Sequence, residues 1–244
     1  NGKNFAESYV TENLSGNWSA DISLDFAECE KLEEVIFPEG VEKIEAFAFI
    51  DCLSLNKVYI PKTLEDFHYD SFERCDSLKV EIAENHEKFI AVDNFICNKN
   101  TNSLIYVQKG VLGEISIPEG ITSIGDSAFF NCENLAELTI ENASVSIEYE
   151  AFGECYNLSK LNIGYDCSDP EARTEFTSTI FAYKNSLTEV NFETSIYGIG
   201  DYVFSGCSSL TKLTIPESVT RIGEQAFTEC TSLTSLNLPD SISS

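Results

Sequence analysis

Hydrophobic residues recur along this chain in a pattern that repeats about every 23 residues. The copy at 210–233, LTKLTIPESVTRIGEQAFTECTSL, shows the whole pattern. Its clearest marker is a Phe followed by Cys three residues later and by Leu six residues later. A period of this length predicts a solenoid that stacks one coil per repeat. Seven complete markers occur, at Phe26/Cys29/Leu32, Phe49/Cys52/Leu55, Phe72/Cys75/Leu78, Phe129/Cys132/Leu135, Phe152/Cys155/Leu158, Phe204/Cys207/Leu210 and Phe227/Cys230/Leu233, and an eighth copy carries Lys184 between Phe181 and Leu187.

Each repeat predicts two short strands and a compact turn. Apolar residues spaced by two, such as Val35 and Phe37, indicate a half-buried first strand. Pro38 ends that strand because proline has no N–H to donate. A second apolar pair, such as Val41 and Ile44, predicts a second short strand. The A-F-x-x-C-x-x-L segment predicts a short helical turn, in which the Phe rings of successive coils stack as a spine.

Two interruptions break the period. Phe72 and Phe129 lie 57 residues apart, and the extra sequence includes FICNKNTNSLIYV at 95–107. Apolar runs on both sides of a polar Asn-rich turn predict a β-hairpin. We therefore predict one irregular coil with an inserted hairpin at about 79–113. The second interruption adds six residues near 164–174 and predicts a loop on one edge.

The ends of the chain bear on its domain organisation. Residues 1–24 do not follow the repeat and contain the only Trp, Trp18. Terminal coils need an atypical segment to cover their apolar face. We predict that 1–24 is an N-terminal cap, with Trp18, Ile22 and Leu24 against the first coil, and that 25–244 is the repeat domain. The sequence contains no Met, which favours a processed chain or a segment of a longer protein.

Charge narrows the range of partners. The formal net charge is −26, from 41 acidic and 15 basic residues. Such a chain repels nucleic-acid phosphates and anionic membrane surfaces, so neither is an expected partner. The 43% of hydrophobic residues suffice for a core, and no apolar run is long enough to insert into a membrane.

Cysteine usage favours packing over cross-linking. Seven of the nine Cys occupy one repeat position. Stacked strands about 4.8 Å apart bring equivalent Cys near the lower limit of disulfide reach, but their side chains then point in parallel. We therefore expect reduced, buried thiols that act as small hydrophobes. Cys97 and Cys167 lie outside this series, and packing, exposure and a functional role remain open for them.

The repeat resembles the BspA-like leucine-rich repeat over about residues 25–240. The shared features are the strand, the Ile-Pro turn, V-x-x-I-G and A-F-x-x-C, and the hairpin insert is similar to one found in that family. The resemblance implies a leucine-rich repeat solenoid of parallel strands with short helical turns. It also implies secreted or surface-anchored proteins of host-associated bacteria, some of them implicated in adhesion to host matrix proteins.

The chemistry of an enzyme is missing from the sequence. The two His, His68 and His86, have no Cys or His near them at metal-ligand spacing. No P-loop, G-x-S-x-G or G-x-G-x-x-G occurs. We expect no catalytic residue, no metal site and no cofactor.

These observations favour a monomeric recognition or adhesion module, secreted or displayed on a bacterial surface. Its expected partner is an extracellular or host protein or a glycan, of unknown identity. The alternative is a structural spacer or shell component of a larger surface protein with no specific ligand. An enzyme that uses surface carboxylates is the third possibility.

The first strand also predicts where a partner would bind. Alternation directs Val35 inward, so Glu34 and Ile36 point outward, as do Lys57 and Tyr59 in the next coil. We expect the outward rows of all coils to form one continuous parallel sheet. Most of these rows are small, polar or charged, as in a solvated sheet face. Ile36 and Tyr59, bordered by Glu34 and Lys57, are the exceptions and the predicted contact patch.

Overall fold

The computed structural model describes residues 20–22, 26–110, 113–141, 145–148, 150–164, 175–176, 180–192 and 196–242. The chain divides into two compact units, Asn1–Gly110 and Val111–Ser244, called unit 1 and unit 2 below. Of the predicted N-terminal cap only 20–22 is described, so Trp18 and Leu24 lie outside the described residues, as does Cys167. The division into a cap and a repeat domain stays a prediction.

Unit 1 contains two parallel sheets, one for each strand of the repeat. The second strands of the coils pair as β1 (Ala20–Ile22), β3 (Val41–Ile44) and β5 (Asp66–Phe67). The first strands pair as β2 (Glu34–Ile36), β4 (Lys57–Ile60) and β6 (Lys79–Ile82). Both strands predicted from the hydrophobic pattern are therefore present.

An antiparallel insert follows β6 in unit 1. It consists of β7 (Phe89–Val92), β8 (Phe95–Asn98) and β9 (Ser103–Val107), with β8 paired to both of the others. The β8–β9 hairpin confirms the prediction from FICNKNTNSLIYV. Sequence analysis missed β7 because residues 89–92, FIAV, are all apolar and show no alternation of apolar and polar residues. In the structure the first side chain is buried and the next three are exposed.

Unit 2 repeats the arrangement over more coils. Its first strands form a five-stranded parallel sheet in which each strand pairs with the next. Its second strands pair as two shorter sets. The sheet comprises β10 (Gly113–Ser116), β12 (Leu135–Ile140), β14 (Lys160–Ile163), β16 (Glu189–Phe192) and β18 (Lys212–Thr214), and the sets are β11 (Ser123–Ile124) with β13 (Ser146–Ile147), and β15 (Glu175–Phe176) with β17 (Gly198–Ile199) and β19 (Arg221–Ile222).

The expectation of one continuous sheet is wrong. The row of first strands forms a three-stranded sheet in unit 1 and a five-stranded sheet in unit 2. Between β6 and β10 the chain forms the antiparallel insert, whose strands do not follow the one-strand-per-coil pairing. In the last coil, Ser235 and Asn237 occupy the positions equivalent to Lys212 and Thr214 of β18 but lie in no strand.

The Phe side chains form the predicted spine in both units. The ring of Phe49 stacks between Phe26 and Phe72, at centroid distances of 5.1 and 5.3 Å. In unit 2 the ring of Phe152 lies 4.9 Å from Phe129 and 5.4 Å from Phe181. These spacings suit offset aromatic stacking, and the rings are completely buried from Phe49 to Phe204.

The return segment contains less helix than its sequence indicates. Hydrogen bonds such as Cys52 N to Phe49 O (3.2 Å) and Leu55 N to Cys52 O (2.9 Å) close successive turns. Among the described residues, only Tyr69–Phe72 makes a 3₁₀ helix of several residues. The reason is a left-handed residue two positions after each spine Phe, such as Asp51 with φ of 60°, which interrupts helical geometry.

The conserved spacing of Cys within the repeat has a bonding reason. The Sγ of Cys75 donates to the carbonyl oxygen of Phe49 in the preceding coil at 3.3 Å, and that of Cys207 donates to Phe181 O at 3.1 Å. A thiol is small enough for the core and supplies a weak donor to a buried carbonyl. The same bond occurs for Cys52 to Phe26 (3.1 Å), Cys155 to Phe129 (3.1 Å) and Cys230 to Phe204 (3.2 Å).

All eight described cysteines are free thiols. Burial raises the pKa of Cys52 to about 11 and the pKa of Cys207 to about 12. Cys97, outside the repeat position, is also buried, and burial raises its pKa to about 11. Two members of the series differ from the expectation of burial, because Cys29 is exposed and Cys230 only half-buried.

Candidate functional site

The structure brings together the four residues that the sequence predicts as a contact patch. Glu34 of β2 lies opposite Lys57 of β4, and Ile36 lies opposite Tyr59. Val35, between the two rows, is buried with 5% of its surface exposed. The strand alternation therefore places all four side chains on the outward side of the three-stranded sheet, called the unit 1 face below.

Charged groups on this face form a connected row. The Nζ of Lys57 lies 3.5 Å from Glu34 Oε1 and 3.3 Å from Glu81 Oε2. The Nζ of Lys79 lies 3.9 Å from Glu81 Oε1. The hydrogen bond to Glu81 and the charges of Glu81 and Glu34 raise the pKa of Lys57. Lys57 is therefore a stable cation between two carboxylates.

Lys79 and Glu81 belong to the face, although sequence analysis did not include them. Lys79 pairs with Lys57 and Glu81 pairs with Tyr59. The interval from Leu78 to the first inward valine, Val80, is two residues, whereas it is three in the preceding coils. Because of this one-residue deletion, a strict 23-residue repeat does not place Lys79 and Glu81 at outward positions. The alternation within Lys79–Ile82 was the signal that could have revealed it.

The apolar part of the face is small and well defined. Ile36 keeps 57% of its surface exposed, and the adjacent Tyr59 is half-buried. Glu34, Lys57 and Glu81 border this pair. An exposed apolar side chain beside an aromatic ring and a charged border has the composition of a small contact patch. Whether these residues bind a partner stays a prediction.

The corresponding face of unit 2 has a different character. Asn162 donates through Nδ2 to Glu137 Oε1 (2.5 Å) and to Thr139 Oγ1 (3.2 Å), and its own Oδ1 accepts from Asn191 at 3.0 Å. Lys160 bonds Glu137 at 2.7 Å. The bond from Lys160 lowers the pKa of Glu137. These side chains satisfy one another, and Asn162 is buried among them with 5% of its surface exposed.

Both histidines have structural roles. The Nδ1 of His68 accepts from Asp70 N at 3.3 Å and caps the 3₁₀ helix. The Nδ1 of buried His86 accepts from Lys88 N (3.1 Å) and Phe89 N (3.2 Å), where β7 begins. In the part of the chain that the structure describes, no group of three or more His, Cys, Asp or Glu is arranged to hold a metal ion.

The repeat, its parallel strands and its aromatic spine define a leucine-rich repeat solenoid. Matches to the BspA type leucine rich repeat region cover residues 23–109, 102–174 and 174–244, with six copies. The chain therefore belongs to the BspA-type leucine-rich repeat family. No match was found among curated proteins.

Solved structures of bacterial proteins share this fold. A leucine-rich cell surface protein of Faecalibacterium prausnitzii A2-165 is 29% identical over 87% of this chain and 61% of its own, with a TM-score of 0.59. A leucine-rich repeat protein of Eubacterium ventriosum is 21% identical over 88% and 64% of the two chains, with a TM-score of 0.60. The pneumococcal vaccine antigen PcpA is 19% identical over 87% and 62%, with a TM-score of 0.59.

This chain spans about three fifths of the length of these relatives. Solved relatives thus include a bacterial cell-surface protein. The described residues contain no helix with the length and apolar character needed to cross a bilayer.

Proposed function

We propose that this chain is a non-catalytic recognition module, secreted or displayed on a bacterial surface, that binds a protein through the unit 1 face. The observation that carries the proposal is Ile36, a large aliphatic side chain that is 57% exposed at the end of β2, the edge strand of the described unit 1 sheet. The family and the cell-surface relative support the location.

The surroundings of Ile36 favour a protein partner. An aliphatic side chain gains free energy only when a partner removes it from water. The adjacent ion-paired residues Glu34, Lys57 and Glu81 present both signs of charge. Such a pattern suits a mixed protein surface and would fix the orientation of a bound partner. The net charge of −26 favours partners with basic surfaces and opposes nucleic acid.

The test measures binding to immobilised extracellular matrix proteins, with fibronectin, laminin and type I collagen as probes, by surface plasmon resonance. The double variant Ile36→Ser with Tyr59→Ser should weaken binding at least about tenfold, as expected when hot-spot side chains are removed. Its melting temperature should stay within a few degrees, because Ile36 is exposed and Tyr59 lies on the outward side of the sheet and is only half-buried. Thr139→Ser on the unit 2 face is the matched control and should bind like the parent.

Two outcomes would contradict the proposal: no probe binds the parent chain, or the double variant binds as tightly as the parent. The first outcome favours the spacer alternative. That alternative has its own support in unit 2, where the Asn162, Glu137 and Lys160 side chains bond one another and leave the sheet face without an apolar patch.

A further inference from the structure

A second surface of unit 2 carries two highly exposed tyrosines on its turns. Tyr156 is 65% exposed and Tyr183 is 68% exposed, the two largest values among the exposed large hydrophobic residues described. They belong to successive coils, whose spine rings Phe152 and Phe181 stack at 5.4 Å. Neither tyrosine contributes to the sheet face or to the core, so their presence needs another explanation.

The repeat places the two rings diagonally in a patch of two rows, called the tyrosine patch below. The first row, two residues after each spine Phe, contains Glu154, Tyr183 and Gly206. The second row, four residues after it, contains Tyr156, Asn185 and Ser208. Backbone bonds link the rows in each coil, as from Tyr156 N to Glu154 O (2.8 Å), and Ser208 Oγ bonds Asn185 Oδ1 (3.1 Å) between coils.

Tyr183 is unusual for its position. Its φ is 58°, in the left-handed region, where other coils have Glu, Asp, Asn, Arg or Gly. A bulky aromatic residue rarely adopts this conformation. The same coil also departs from the repeat at Lys184, where Cys is expected. Phe47 and Tyr202 also have a positive φ, two residues before their spine Phe, so the conformation of Tyr183 is not by itself the sign of a site. Its ring is set apart by being 68% exposed.

Gly206 in the next coil holds the ring of Tyr183 in place. A Cβ added to Gly206 would lie 2.8 Å from Tyr183 Cε1 and would clash with Cδ1. Only glycine therefore lets the ring lie against the backbone. One side of the ring rests on Gly206 while most of its surface stays open, so the ring is already oriented for a ligand before binding.

The polar residues near Tyr156 and Tyr183 indicate which class of ligand the tyrosine patch would bind. Each tyrosine has amide, hydroxyl or carboxylate groups beside it, from Asn185, Ser208 and Glu154, and no aliphatic side chain from its own two rows. Unlike the unit 1 face with Ile36, the two rows therefore offer a protein partner no aliphatic side chain to bury beside the rings. A sugar ring instead stacks its C–H surface on an aromatic ring while its hydroxyls bond to amides and carboxylates. The charge of Glu154 raises the pKa of Tyr156 and also repels anionic ligands.

We propose that Tyr156 and Tyr183 form a binding site for a neutral glycan, with the rings as stacking platforms and Asn185 and Glu154 as hydrogen-bonding groups for its hydroxyls. This site is separate from the unit 1 face and does not depend on the function proposed for that face. Because Glu154 and the acidic chain disfavour negative charge, sialylated or sulfated glycans should be excluded.

The test is isothermal titration calorimetry of the chain with neutral probes: cellohexaose, maltohexaose, mannohexaose and xylohexaose. Anionic probes are 3′-sialyllactose and a heparin hexasaccharide. At least one neutral probe should bind, and the anionic ones should not. Tyr156→Ser with Tyr183→Ser should weaken that binding at least about tenfold, since the C–H surface of the sugar then loses its burial against both rings.

Matched variants separate binding from folding. Tyr202→Ser removes an exposed tyrosine outside the tyrosine patch and should bind like the parent, as should the Ile36→Ser/Tyr59→Ser variant. Tyr183→Phe should retain binding because it keeps the ring. If Tyr183→Ser lowers stability by uncovering Gly206, Tyr156→Ser alone should still reduce affinity. The proposal is overturned if no neutral probe binds, if anionic probes bind better, or if the tyrosine variants bind like the parent.

Discussion

Replacing Phe152 by alanine tests whether the stacked spine stabilises unit 2. Phe152 is 1% exposed and lies between the rings of Phe129 and Phe181, at 4.9 and 5.4 Å. Removing the ring loses its burial and leaves a cavity that the two flanking coils cannot fill without shifting. Such changes cost about 3–5 kcal/mol. Because Phe152 has an aromatic neighbour on each side, we expect a loss near the upper end of that range.

The measurement is equilibrium unfolding in urea, followed by near-ultraviolet circular dichroism and supported by thermal melts. A loss of 3–5 kcal/mol corresponds to a fall of about 6–20 °C in melting temperature for a chain of this size. The slope of free energy against urea should change little if the same surface is exposed on unfolding. A change below about 1 kcal/mol would refute the reasoning, because it would mean that Phe152 is not held in a packed stack.

Phe227 provides the matched control at the same repeat position. It stacks on Phe204 at 5.5 Å but is only partly buried. Phe227→Ala should therefore cost clearly less, about 1–2 kcal/mol, because less surface is returned to water and the cavity is open to solvent. Equal losses at Phe152 and Phe227 would show that burial within the stack does not determine the cost.

Two further predictions concern titratable groups. Native protein at pH 8 should react rapidly with a thiol reagent at exposed Cys29, and Cys29→Ser should remove one rapidly reacting thiol. Cys207, whose pKa burial raises to about 12, should react only after denaturation. Rapid reaction of Cys207 in the native protein would contradict its burial. Burial and the charge of Lys99 lower the pKa of His86 in the folded protein. As the pH falls, the imidazole is therefore protonated in the unfolded chain before it is protonated in the folded one, and stability should fall below about pH 6.5. His86→Asn, which can still accept the Lys88 and Phe89 N–H bonds, should lessen that fall in urea unfolding between about pH 5 and 6.5, and an unchanged pH dependence would exclude His86 as its source.

Much of the fold was predictable because each coil repeats the same pattern of inward and outward residues. Alternation placed Val35 inward and Ile36 outward, and the recurring Phe predicted the spine of which Phe152 is part. Both conclusions follow from the strand period of two and from the stacking of equivalent positions in successive repeats. The contact patch of Ile36 and Tyr59 was predictable for the same reason, since the two residues occupy one position in adjacent coils.

Features that depend on deviations from the repeat needed the tertiary structure. A one-residue deletion before Val80 placed Glu81 beside Tyr59, and strict periodicity could not show it. β7 lacks alternation and is held as a strand by its pairing with β8 and by the bond from Phe89 N to His86. Five Cys thiols bond a carbonyl of the preceding coil, as Cys207 bonds that of Phe181, and no pattern within one repeat indicates such a bond.

The tyrosine patch has some features that the sequence predicts and others that only the tertiary structure shows. The sequence by itself determined that Tyr156 and Tyr183 fall in the return segments of successive coils. Only the structure showed that Tyr183 has a left-handed φ and that its ring lies on Gly206. The period of the repeat determines which residues share a row, because each coil stacks its equivalent positions on those of the neighbouring coil. How far a ring is exposed depends on the side chain above it in the next coil, and that contact exists only after the coils have packed.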